Sequence, residues 1–236
     1  MNRKLVKSAV ALLVIGLTSA TNNNVLGQLR DSLNAKCYTE GAYTLCIENN
    51  ASDFNPITEK RLKETFFKTY PRLAKEFNPQ TAKTVIFRID TAYDGVAAAA
   101  RNVVVFNPGW FKSNPEDIDV VTHEGMHIVQ NYGRSVGPWW LTEGIADYVR
   151  EVYGVNNAAA KWSLHSPRPN EKYDNGYRIT GRFLLWIEKH VKKGFVKTLD
   201  AALRDHTYTA DIWEQQTGKT IDALWEAYVN NPKIPQ

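Results

Sequence analysis

A chain of 236 residues, 43% hydrophobic and 23% charged, has the balance of an ordinary globular protein and room for one substantial domain. Its 29 Lys and Arg exceed its 25 Asp and Glu to give a formal charge of +4, but Arg3, Lys4 and Lys7 stand in a removable leader. The excess left after their removal is too small to imply a polyanion, and no nucleic-acid partner is expected.

The leader spans residues 1–20. A basic start runs into the apolar Ala9–Leu17 and the small-residue exit Thr18-Ser19-Ala20. That is the pattern of a secretory signal peptide, and its apolar run is shorter than a membrane span. Cleavage is expected after Ala20, with a site near Gly27 as the alternative. The mature protein is expected to be secreted or periplasmic, with no stable membrane association. Residues 21–35 are polar and Asn-rich and read as a flexible leader; 36–232 read as one domain. In NAKCYTEGAYTLCIEN, a two-residue turn at Gly41-Ala42 pairs 40 with 43 and, further out, Cys37 with Cys46. Export supplies an oxidising compartment, so a structural disulfide clamping a hairpin is expected.

Thr58 is positioned to cap a helix bearing Leu62, Phe66, Phe67, Tyr70 and Leu73, with a kink or break near Tyr70 where Pro71 removes a donor. Thr84–Asp90 alternates as a strand, and Gly95–Ala100 and Val103–Asn107 read as two more around a turn at Arg101-Asn102. The run Val96, Ala97, Ala98, Ala99 and Ala100 is unusual for a strand. Small side chains on a sheet edge would let an extended peptide approach, so Val96–Ala99 are candidate substrate-binding residues; a short buried strand or a helical turn is the alternative. Asn114 is expected to cap a central helix, with Pro115 at its first position, Glu116 and Asp117 at its positive end, and Gly133 stopping it. A second helix is expected over about 138–153, ended by Gly154. A looser stretch follows at 155–174, then helices over about 176–192, 195–205, 209–216 and 220–230, the last capped by Thr220. Strands early and helices late make an α+β fold.

The chemistry sits in His123-Glu124-Gly125-Met126-His127. On a helix, positions i and i+4 share a face, so both imidazoles can hold one cation while Glu124 acts on a water as general base. A catalytic zinc takes three protein ligands and leaves a place for water. Glu143, near the start of the next helix, is the expected third ligand. Asp147, one turn on, is expected to accept the free N–H of a ligating histidine, or else to pair with Arg150 on the helix surface. A donor for the developing oxyanion is expected from Tyr177, with His165 and Tyr173 as alternatives. Trp186, Trp213 and Trp225 lie in apolar helical patterns and read as core, whereas Trp110, Trp139, Trp140 and Trp162 flank the motifs and could line a cleft.

The segments THEGMHIVQNYG, PWWLTEGIADYVR, YDNGYRITGRFLLWIE, GFVKTLDAALR and TGKTIDALWEAYV follow one another as in the plant basic secretory proteins and their bacterial relatives. The resemblance covers about Asp94–Asn230. It implies a thermolysin-like zincin fold of the gluzincin kind, with His123, His127 and Glu143 holding Zn2+ and Glu124 as base. It also implies a secreted zinc endopeptidase acting on a peptide or protein substrate. The hairpin of Cys37 and Cys46 lies outside the matched segments, and the near-neutral mature charge departs from the family's basic character. A catalytically silent zinc-containing binding protein and a metal-dependent cell-wall peptide amidase are the other readings. Nothing specifies an oligomer, and a monomer is assumed.

Overall fold

The hairpin occupies one edge of a five-stranded mixed sheet. In the computed structural model, which describes residues 35–133 and 137–235, β1 (Lys36–Glu40) and β2 (Tyr43–Asn49) pair antiparallel with Cys37 opposite Cys46. The two cysteines are disulfide-bonded, as their register predicts. The leader and signal segment assigned to 1–20 and most of 21–35 lie outside the described residues. Among the described residues, no helix is long and apolar enough to cross a membrane.

α1 (Pro56–Phe77) departs from expectation at both its start and its middle. Asn55 is the cap, accepting from the Ile57 N–H at 2.8 Å with Pro56 at the first position, while Thr58 is buried inside the first turn. The helix also runs through Pro71 without the break expected near Tyr70. A proline in a helix interior costs about 3 kcal/mol. Leu62, Phe66, Tyr70, Leu73 and Ala74 are each no more than 1% exposed, and burying a large apolar side chain contributes about 1.5–3 kcal/mol. Several such residues on one face outweigh the single lost bond, and the helix continues.

β3 (Thr84–Ile89), β4 (Ala97–Ala100) and β5 (Val103–Phe106) complete the sheet in the order β1-β2-β3-β5-β4. The β2–β3 and β3–β5 pairs are parallel and the outer pairs antiparallel. Alternation along TVIFRI sends Val85, Phe87 and Ile89 into the core, where the Phe87 and Phe66 rings meet edge-on at 5.5 Å. Arg88 points the other way and pairs with Glu48 at 2.8 Å. β4 is shorter than the predicted strand, starting at Ala97, and it is the second edge of the sheet.

α2 (Pro108–Ser113) was not legible from periodicity because it is less than two turns long; Asn107 caps it by accepting from the Gly109 N–H at 2.8 Å. Its presence moves Asn114 from the start of the central helix to the end of this one. The central helix α3 (Val120–Gln130) therefore begins later than expected, after Asp119, with Pro115 and its acidic neighbours in the preceding turns. It ends at Asn131, in the left-handed conformation (φ 42°), before Gly133 is reached. Its last carbonyls are satisfied from outside: Asn78 Nδ2 donates to Val129 O at 2.8 Å, and Thr81 Oγ1 to Ile128 O at 3.2 Å.

α4 (Trp139–Tyr153) and, after an irregular stretch and a 3-10 turn at Tyr173–Asn175, α5 (Tyr177–His190) pack face to face. α6 (Phe195–Arg204), α7 (Ile212–Thr217) and α8 (Ile221–Asn230) follow, the last capped by Thr220, which accepts from the Ala223 N–H. One buried cluster runs through these elements from Leu45 to Tyr228. Where α4 crosses α5, a Cβ on Gly144 would stand 2.2 Å from Thr180 Cγ2, and one on Gly181 would stand 3.0 Å from the Tyr148 nitrogen. Thr180 cannot swing aside cheaply, because its hydroxyl donates to Tyr173 O and accepts from the Gly176 N–H. Gly144→Ala is therefore expected to lower stability by about 1–3 kcal/mol. Denaturant titration measures this, and an unchanged midpoint would show that the two helices part freely.

Candidate metal centre

Two elements meet to form the centre. α3 places His123 and His127 on one face, one turn apart, and the antiparallel return of the chain lays the first turns of α4 beside them. Their Nε2 atoms are 3.1 Å apart. Glu143 Oε2 lies 3.3 Å from His123 Nε2 and 3.4 Å from His127 Nε2. The expected ligand trio thus converges on a nearly equilateral triangle.

The protons can be assigned from the neighbours. His123 Nδ1–H donates to Asp147 Oδ1 at 2.7 Å. His127 Nδ1–H donates to Gln130 Oε1 at 2.7 Å, and the Gln130 amide is oriented by its own N–H2 donating to Thr142 O at 2.9 Å. Both rings spend an Nδ1 proton outward, so in the neutral form both Nε2 lone pairs face Glu143, itself an acceptor. A single proton could bridge one side of such a triangle and would leave two acceptor–acceptor contacts. One cation satisfies all three. Tetrahedral zinc ligands at about 2.0–2.1 Å stand about 3.3 Å from each other, which the three observed separations match. The residues present fit a zinc ion.

The electrostatics agree. Burial opposes charge on His123, but the carboxylates of Asp147, Glu143 and Glu124 outweigh it and push its pKa up to about 10. Burial likewise opposes charge on Glu143, and hydrogen bonding to His123 and His127 holds it well below the ordinary carboxylate range. The centre favours positive charge between the rings, which a divalent cation would supply while displacing protons.

Around this centre opens a cleft of roughly 1480 Å³. Glu124 is 6% exposed, lines the cleft, and has no hydrogen-bond partner for its carboxylate among the described residues, so the group remains available to solvent or ligand. Tyr177 lines it too, half exposed, with its ring parallel to that of His123 at 6.4 Å. Its pKa is raised by burial and then by the charges of Glu143, Asp147 and Glu124, so the phenol stays a neutral O–H donor. The backbone at Tyr177 is left-handed (φ 47°), a conformation that costs of order 1–3 kcal/mol for a non-glycine residue. The preceding Gly176 (φ 77°) makes this entry possible, since a Cβ there would stand 2.6 Å from the Trp139 ring.

The other sequence candidates sort clearly. His165 reaches the cleft, with Nδ1–H donating to Ser166 O. Tyr173 does not: its ring packs against Trp140, Phe183 and Trp225, and its hydroxyl donates to Asp222. Val96, Ala97, Ala98 and Ala99 all line the cleft on its β4 side. Trp110, Trp139 and Trp162 line it as well, whereas Trp140 turns toward Tyr173 and Trp213. Asp147 chooses His123 over Arg150, which pairs instead with Asp117. Two supports escaped the sequence reading. Gln130 was detectable in principle, one turn after His127 on the same helix. Asp119 was not: it is fully buried, accepting from Thr122 Oγ1 and from the backbone N–H groups of Val155 and Asn156, and so ties the start of α3 to the end of α4.

A family model described as "Peptidase of plants and bacteria" matches residues 39–228. No curated protein matches the sequence. Among solved structures, the fold resembles the M1 zinc metallopeptidase from Deinococcus radiodurans (TM-score 0.51, 15% identity, covering 86% of this chain and 52% of that one). It also resembles a two-domain M1 zinc metallopeptidase mutant bound to L-arginine, with TM-score 0.52, 15% identity and the same coverage. At such identity the likeness concerns the fold alone, and the chain spans about half the length of these structures.

Proposed function

Because the chain belongs to the peptidases of plants and bacteria, we propose that it is a zinc-dependent endopeptidase whose centre is His123, His127 and Glu143. The convergence of Glu143 with two imidazole Nε2 atoms, each ring held through Nδ1 by a neighbour, is the observation that carries this reading. A zinc ion held there would supply Lewis acidity, polarising the scissile carbonyl and acidifying a water. Glu124 takes a proton from the attacking water and later delivers it to the leaving amine. Tyr177, kept neutral, donates to the carbonyl oxygen as negative charge develops. Asp147 and Gln130 hold the two imidazoles in the ligating tautomer. Val96–Ala99 give an extended substrate a strand edge with small side chains. The sheet-then-helices order with the metal pair on a central helix supports a thermolysin-like zincin arrangement. Residues 36–232 would act as one catalytic domain, exported to an oxidising compartment after loss of residues 1–20.

The test is metal analysis of the purified mature protein beside a mixed-peptide cleavage profile. One zinc per chain is expected, with internal bonds cut, activity lost on chelation and regained with zinc. Metal without any cleavage would favour the silent binding protein, and cleavage confined to peptidoglycan fragments would favour the amidase.

A further inference from the structure

The cleft carries more cationic charge than its own acids use. Of the acidic residues lining it, Asp117 is paired with Arg150 and accepts from Trp110 Nε1–H, Asp147 accepts from His123, and Glu143 faces both histidines. Glu124 is the base. Arg178 also lines the cleft, is exposed, and makes neither an ion pair nor a side-chain hydrogen bond among the described residues. It is nevertheless held in place: its guanidinium lies 5.1 Å from the centroid of the Trp162 ring, and that ring is buried and backed by Arg150 at 4.3 Å. A stacking contact restrains a flexible side chain through its face and leaves the N–H fork unspent. A planar, charged donor set presented without an acceptor, directly after Tyr177 in the chain, matches a carboxylate.

We infer that Arg178, steadied by Trp162, is a specificity determinant that selects peptides presenting a carboxylate to the cleft. This rests on the peptidase reading above. The carboxylate comes either from an Asp or Glu side chain of the substrate or from a free C-terminus, and the two sources share the same recognition chemistry. Arg178 touches no reacting atom in this scheme; its role is to discriminate among substrates.

The experiment uses the zinc-loaded Glu124→Gln protein, which leaves peptides intact, and calorimetry with matched peptide sets. One set exchanges Glu for Gln at each position, a second compares a free with an amidated C-terminus, and a third carries Lys at the same positions. A carboxylate peptide is expected to bind about tenfold or more tightly than its amide counterpart, and the set that shows this identifies the source. Adding Arg178→Gln should erase the preference, Arg178→Lys should keep part of it, and Arg178→Glu should transfer it to the Lys peptides. That gain of binding cannot come from a misfolded variant. No preference in the parent, or a preference that survives Arg178→Gln, would overturn the inference. Wild-type cleavage keeps the two readings apart. Peptides cut without regard to carboxylates sink this inference alone, whereas peptides neither cut nor bound sink the peptidase reading with it.

Discussion

Glu124→Gln is expected to lower peptide cleavage by about 10²–10⁴-fold while the protein keeps its zinc and its melting temperature. The substitution preserves shape and removes only the ability to accept a proton. Glu124 makes no hydrogen bond to the histidine Nδ1 partners, and its carboxylate has no hydrogen-bond partner of its own among the described residues, so no hydrogen bond of the fold is lost with its charge. Cleavage rates and metal content measured on the same preparation check this. Near-normal cleavage would remove the general base from the mechanism, and lost metal would mean that Glu124 supports the centre rather than the reaction.

Glu143→Ala is expected to act on the other half of the chemistry, by removing the metal. The two imidazoles remain, the anionic ligand is gone, and the charge that offsets a divalent cation falls by one. Asp147→Asn is the calibrating comparison. It leaves all three ligands and weakens only the acceptor behind His123, a change that typically costs 10–100-fold in affinity. Competition titration against a chromogenic chelator should place Glu143→Ala well beyond that range. An Ala variant that binds zinc as tightly as the Asn variant would show that some other group completes the triangle.

Much of this centre could be read from spacing because helix geometry alone brings His123 and His127 together, and a loop of suitable length returns Glu143 and Asp147 to them. The hairpin disulfide was legible for the same reason, since a two-residue turn fixes which residues face each other. The failures have a common cause in competition from tertiary contacts. Pro71 argued for a break that buried neighbours on the same helix overrode. Asn114 carried a capping signal but served the end of a helix too short to show a period. Asp119 gave no local hint, because the backbone donors it serves lie more than thirty residues away. Tyr177 was preferred to Tyr173 in YDNGYRIT, but nothing local removed Tyr173, which only its packing against three aromatic rings takes away from the cleft.

At Gly144 and Gly181 the backbones of α4 and α5 approach closely. The Thr180 side chain that packs against Gly144 is pinned by its hydrogen bonds to Tyr173 O and the Gly176 N–H, so the contact offers no freely rotating side chain on which the helices could slide. Glu143 and Asp147 ride on one of them, and Tyr177 begins the other. The spacing between the Glu143 carboxylate and the Tyr177 phenol is therefore settled when the chain folds. On the proposed reading, the ordering entropy that many enzymes spend on closing around a ligand would be met at folding, and an incoming peptide would have chiefly its own freedom to lose.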